Sequence, residues 1–311
     1  MRLLIAAVAI WSCLLATGHA RDIFVNNQMG DDRNEGQAQI NSGSQGGPCR
    51  SIAKALRLAE KGDRIVLAKN VEPYRESITL QAGKNSGMPN FPLIIEGNGA
   101  ILDGQQPVPP DSWEFMKGSL FRFRPSRMSF HLLFLDDKPA VRREFDADIN
   151  RIPTLNPKEW YLFDRYIYFQ ADPNRIPADY NLSHTVLPVG ITLYEVRHVL
   201  IKDLTVQGFQ LDGINAHDSV FDASLVGVTS RGNGRSGISV GGASRLRLEG
   251  CLVGNNGTAQ VRTEGQSLTR IINSTLLDNT APALKREGGE VLQEPVEKTV
   301  RLPNSPVRQA F

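Results

Sequence analysis

A short motif recurs along the C-terminal half of the chain at a nearly constant interval, which restricts the fold more than any other feature. Gly190-Ile191 returns as Gly213-Ile214 and Gly237-Ile238, and its apolar member continues as Val261 and Leu284, at steps of 23, 24, 23 and 23 residues. A second series, Asp203, Gly227, Gly250 and Asn273, advances by 24, 23 and 23. Ile201, Leu225, Leu248 and Ile271 precede it in the same register, and Leu204, Val228, Cys251 and Ser274 follow it. Independent columns that share one period denote a structural repeat. A repeat this short cannot hold a helix of about 10 residues beside its strands, which excludes the common helical solenoids. What remains is a coil of short strands stacked in parallel, an all-β parallel β-helix. An antiparallel sandwich is the alternative, but it imposes no fixed register.

The columns assign sides. Ile, Leu and Val at repeating positions fill the interior. The Asp203/Gly227/Gly250/Asn273 column suits a turn with positive φ, which Gly, Asn and Asp tolerate. Side chains alternate along a strand, so if Ile191 to Leu284 point inward, the next residues point out. One outward row reads Thr192, Asn215, Ser239, Arg262 and Lys285. A second reads Tyr194, His217, Gly241, Glu264 and Glu287. Successive rungs lie about 4.8 Å apart. One face therefore gathers Asn215, His217, Arg262, Glu264, Lys285 and Glu287, with Asp212 and Arg235 at its edge.

The rest of the chain frames this coil. Residues 1–20 read as a secretory signal peptide: a basic start, an apolar run, then Gly18-His19-Ala20. No later segment approaches a membrane span, so the mature protein is expected to be soluble and secreted, or held in the periplasm or cell envelope. Residues 21–290 form the β-helix domain, opened by a short helix that Ser51 caps and Gly62 ends. Residues 107–187, rich in Pro and aromatics, interrupt it as an inserted antiparallel β module. Residues 291–311 read as a tail. The 28 Gly and 18 Pro belong to these many turns. With 35 Lys and Arg against 33 Asp and Glu, the net charge of +2 gives no electrostatic case for nucleic acid or an anionic membrane. Cys49 and Cys251, the cysteines left after signal removal, fall several coils apart, roughly 20 Å, so no disulfide is expected. A monomer is expected.

The segments FVNN, GPCRSIAKALRLAEKGDRIVLA, ESITL, PLIIEGNGAILDG and GITLYEVRHVLIKDLTVQGFQLDGINA resemble the cap and coils of the pectin-lyase-like right-handed β-helix proteins. KEWYLFDRYIYFQAD is similar to a β module inserted in some secreted members. The resemblance covers most of residues 21–290 and implies a right-handed coil. It leaves activity open, because the superfamily holds lyases, hydrolases, epimerases and members without known catalysis. In the lyases the strand groove binds acidic polysaccharide and the reaction is β-elimination beside a uronate. That chemistry needs a cation for the carboxylate and a base for the C5 proton. Lys285 beside Arg262 fits such a base in chemistry and spacing, with His217 as an alternative base. Asn215, Asp212, Arg235, Glu264, Glu287 and Tyr194 would contact the saccharide. The same charges also read as a self-neutralising ladder that keeps the face soluble. Two alternatives stand beside the lyase: a non-catalytic carbohydrate-binding or surface β-helix, and a glycoside hydrolase. The paired-aspartate set of the β-helix hydrolases is not matched, although Asp212-Gly213-Ile214 resembles one fragment of it.

Calcium serves several such lyases. Asp31-Asp32 and Asp136-Asp137 are the carboxylate pairs for it here, but solvated turns are the simpler reading, so no metal or cofactor is expected. The turn Arg231-Gly232-Asn233-Gly234-Arg235 offers two cations to a sugar carboxylate, or is a plain loop between coils. Trp113, Trp160, Tyr161 and Tyr166 either stack on sugars or form the insert's own core.

Overall fold

The computed structural model describes residues 20–41, 46–126, 129–143 and 151–294. The proposed signal segment and most of the proposed tail lie outside them. The described chain is a solenoid of parallel strands carrying an inserted module.

Three strand faces wrap one core. The first stacks Ile78–Gln81, Ile191–Tyr194, Asp212–His217 and Ser236–Val240 under the starts of Ala259–Ile272 and Leu284–Glu294. The second begins at Asp22–Val25 and Arg64–Leu67. It continues through the start of Leu93–Asp103, the start of Arg197–Gln207, Phe221–Val226 and Arg245–Glu249. The third is built from residues 100–103 and 205–207, then Thr229–Arg231, Leu252–Gly254 and Thr275–Leu276.

Register follows the apolar columns. Ile78, Ile191, Ile214, Ile238, Val261 and Leu284 are successive partners on the first face. Ile23, Ile65, Ile95, Ile201, Leu225, Leu248 and Ile271 are successive partners on the second. All of these but Leu284 are buried. A one-residue slip would turn a whole column to solvent, so the core fixes the pairing.

The corner between the second and third faces is a single left-handed residue per coil. Asp203, Gly227, Gly250 and Asn273 have φ of 51°, 62°, 60° and 46°. Each bends the strand without a loop. The Gly227 amide donates to Glu249 O at 2.8 Å and the Gly250 amide to Ile272 O at 3.1 Å, so even the corner joins coil to coil.

Helix α1 (Ile52–Leu58) closes the N-terminal end. The Ser51 side chain accepts from the Lys54 amide, while Ile52, Ala55 and Leu56 are buried. It stops earlier than expected, because its C-cap is Ala59; Gly62 is left-handed but belongs to the following turn. The other end also differs. Strand Leu284–Glu294 carries the ladder four residues into the segment read as a tail, pairing Val291 with Thr269 and Glu294 with Ile272.

The insert folds on its own apolar residues. A five-stranded sheet runs through Glu114–Lys117, Leu120–Phe123, Tyr166–Gln170, Glu159–Phe163 and Val141–Arg142. A four-stranded antiparallel sheet joins Gln105–Pro107, Leu182–Thr185, Leu133–Leu135 and Lys138–Pro139. Trp160, fully buried, packs with Phe123, Ile167 and Phe169, so the core reading holds for this tryptophan. Trp113 packs edge-on against Phe123 at 4.7 Å. Cys49 and Cys251 are free and buried, in the first coil and in a late one; burial pushes the Cys49 thiol up to about 11.

His184 is buried between Phe123 and His131, and its Nδ1 has no partner among the described residues. Burial, with His131 beside it, pushes its pKa down to about 4. The fold therefore favours neutral His184. Its stabilising state is full above about pH 6.5, the unfolded value, and is lost as pH falls from there toward 4. Urea titrations between pH 7 and pH 4 should show up to about 3 kcal/mol of acid destabilisation that His184→Gln removes. At the corner, Gly227 has open space where a Cβ would stand, so only backbone strain opposes substitution. Gly227→Val should destabilise by about 1–2 kcal/mol and Gly227→Asn by much less, read from the same titrations.

Candidate functional site

The first face brings the expected residues together in the expected rows. Thr192, Asn215, Ser239, Arg262 and Lys285 are rung-to-rung partners. Tyr194 partners His217, and Glu264 partners Glu287. Between those pairs stands Gly241, where a Cβ would meet the Glu264 carboxylate at 2.9 Å. The Glu264 side chain thus lies across the position that Gly241 leaves empty. Ser239 is buried, so the outward row is covered in its middle.

The charges settle among themselves. Arg262 Nη2 reaches Glu264 Oε2 at 2.8 Å and Glu287 Oε2 at 2.5 Å. Lys285 Nζ lies 3.0 Å from Glu287 Oε1. Hydrogen bonds from Lys285 and Arg262 hold the Glu287 carboxyl below the usual range. Two cations and two carboxylates form a closed, neutral set.

A second cluster sits at the edge of the face. Asp212 is fully buried and accepts from Arg235 Nε at 3.0 Å, Ser236 Oγ at 2.5 Å and Asn215 Nδ2 at 3.2 Å. Arg235 Nη2 donates to it as well. Asp212 raises the Arg235 pKa first by this hydrogen bond and then by its charge; Glu264 and Glu287 add to it through space. Every Asp212 lone-pair direction is used within the protein. Asn215 and Arg235, expected to reach a ligand, instead hold this carboxylate.

Tyr194 and His217 pair with ring centroids 5.1 Å apart at 58°. His217 Nδ1 lies 3.1 Å from Asp218 Oδ2. Both rings of this pair are half-buried.

The Gly-rich turn proves to be a seat for the insert. The Phe134 ring lies 3.2 Å from where a Gly232 Cβ would be, and a Gly234 Cβ would collide with Phe130 O at 1.8 Å. Glycine lets the insert approach that closely. Both cations of the turn are engaged, Arg231 Nε with Gln207 Oε1 at 3.0 Å and Arg235 with Asp212. Among the described residues, two cavities that the insert borders are lined by neither Arg262 nor Lys285.

The carboxylate pairs weighed for calcium lie in turns or are engaged by neighbouring side chains. Asp31 is held by Arg33, which lowers its pKa to about 2. Asp32 accepts from the Ser51 amide at 2.8 Å and the Ser51 hydroxyl at 2.7 Å. Asp136 and Asp137 are the two left-handed residues of the tight turn joining Leu133–Leu135 to Lys138–Pro139. Among the described residues, no group of three or more His, Cys, Asp and Glu side chains is placed to hold a metal.

Residues 181–296 match a protein-family model described as the right handed beta helix region. The solenoid is a right-handed parallel β-helix. No curated protein matches the chain. Three solved structures are remotely similar to the chain. One, described as the complex structure of XylC with xylose, is 12% identical, with a TM-score of 0.44 over 88% of this chain and 70% of that one. A glycoside hydrolase is 10% identical, with a TM-score of 0.45 over 90% and 98%. A rhamnogalacturonan lyase is 9% identical, with a TM-score of 0.35 over 88% and 62%. Likenesses this remote carry no argument about chemistry. Among the described residues, no helix of this β-helix protein is long and apolar enough to cross a membrane.

The two clusters differ in what they do for the fold. Asp212→Ala leaves the guanidinium of the largely buried Arg235 without its carboxylate and should destabilise by about 3–5 kcal/mol. Lys285→Ala breaks an exposed pair and should change stability by no more than about 1 kcal/mol. Chemical denaturation of the two variants measures both.

Proposed function

We propose that this β-helix is an exported carbohydrate-binding protein whose first face recognises a saccharide chain without cleaving it. The observation that carries the reading is the closure of Arg262 and Lys285 onto Glu264 and Glu287. β-Elimination needs a free cation to meet the uronate carboxylate and a base set among other cations, which depress its pKa. Lys285 has a carboxylate for a neighbour, and Arg262 already binds two. An acidic polysaccharide would have to displace both glutamates before either group could act. What the face does offer is the Tyr194–His217 pair and the neighbouring hydroxyl of Thr192. A half-buried ring with hydroxyl groups beside it suits the apolar face and hydroxyl rim of a sugar.

Binding measured against immobilised neutral and uronate-containing polysaccharides should find a neutral ligand whose affinity drops about tenfold, near 1.4 kcal/mol, in Tyr194→Ala. The same mixtures should develop no ultraviolet absorbance of unsaturated uronate. Absorbance that grows with the wild-type protein and vanishes with Lys285→Ala would establish the elimination reading instead.

A further inference from the structure

Where the tight turn of the insert meets the coils, a cavity of about 280 Å³ lies between them. The turn contributes Asp136, Asp137 and Lys138, and the coil contributes Arg231. Gln105 and Gln207 line it as well, beside the Phe134 ring that seats the insert on Gly232. The volume is at the small end of the range for ligand pockets, roughly 300–1,000 Å³, so it suits one ring and not a chain.

A buried carboxylate orients this lining. Asp103, 6% exposed, accepts from the Gln105 amide at 2.8 Å and from Gln207 Nε2 at 2.9 Å. Gln207 Oε1 in turn accepts from Arg231 Nε at 3.0 Å. Burial pushes the Asp103 carboxyl up, and the charge of Asp137 adds to this through space, so the turn lies close enough to act on it. A ligand would meet side chains already held in place, which lowers the cost of ordering them.

Hydrogen-bonding capacity is left over here. Gln105 is 4% exposed and its Oε1 accepts from Ser183 Oγ at 2.7 Å, yet its Nε2 donates to nothing among the described residues. A buried N–H group in that state is costly unless something in the cavity accepts from it. The Asp136 and Asp137 carboxylates and the Lys138 ammonium also have no hydrogen bond or ion pair among the described residues, and the Arg231 Nη groups make no bond there. Two cations and two carboxylates therefore line the cavity without net charge and without pairing off.

We propose that this cavity is a second carbohydrate site that holds a single neutral sugar ring, with Asp136 and Asp137 accepting from its hydroxyls and Gln105, Lys138 and Arg231 donating to them. Each sugar hydroxyl both donates and accepts, so a ring of them uses free groups of both kinds. Bonds to the charged members are the stronger ones. A bare anion or cation would gain from one pair of charges and be repelled by the other. The assignment takes its ligand class from the saccharide reading above, and its geometry from residues that the first face does not share.

Saturation-transfer NMR titration of the full chain with glucose, galactose, mannose and xylose tests the site. At least one of the four should bind. Asp136→Asn/Asp137→Gly removes both carboxylates and keeps a sequence that suits two left-handed turn residues. It should weaken binding at least about tenfold with no fall in melting temperature. Gln105→Met, which keeps the length of the side chain, should also weaken it; if that variant does not fold, the turn variant decides. Tyr194→Ala should leave the sugar affinity as it is. No binding of any sugar would overturn the site, as would wild-type affinity in the turn variant or equal displacement of the sugar by the zwitterion glycine. Loss in Tyr194→Ala with retention in the turn variant would overturn it too, by returning the ring to the first face. A polysaccharide affinity unchanged in Tyr194→Ala would instead overturn the first-face reading, and a sugar lost only in the turn variant would still support this cavity.

Discussion

Each coil is held by the one before it. Its Ile, Leu or Val side chains rest on the same positions of the preceding rung, and its amides bond upward in parallel. Neither part suffices alone. A single rung of four to six residues buries nothing by itself, and an isolated parallel pair is weak. Stacked, the Ile23-to-Ile271 column is dry over its whole length. This constraint fixes where every outward residue stands, because inward register leaves outward register no freedom. The rows that carry Arg262 and Glu287 follow from the positions of Val261 and Leu284.

That dependence explains what could be read from the chain. The inward columns and the left-handed corner are periodic, so Asp203, Gly227, Gly250 and Asn273 disclose a turn whose φ values lie within 16° of one another. The outward rows could be placed for the same reason. What each side chain does there is set by neighbours one coil away. Lys285 beside Arg262 reads as an activated base when only cations are considered, and as a bound ammonium once Glu287 is seen between them. The spacing permitted both readings, and only side-chain geometry separates them.

The insert was legible as a module but not in its position. Its aromatics announce a core, and Trp160 is in it. Its docking has no period. The signal was present in Gly232 and Gly234, two glycines in a turn whose neighbouring coils carry Asn255, Asn256 and Gly257 at the equivalent place. Composition alone assigns such glycines to flexibility. In the structure they remove side chains where Phe134 and the backbone of Phe130 must fit.

The same contact decides where a ligand can go. An insert seated on Gly232 and Gly234 holds its edge strand over the turns at Asn255 to Gly257. The first face needs internal neutrality to stay soluble and unpaired, which the Arg262, Glu264, Lys285 and Glu287 set provides. A Cβ at Gly234 would push the backbone of Phe130 away, while the Tyr194 and His217 rungs, paired only along the coil, would keep their register.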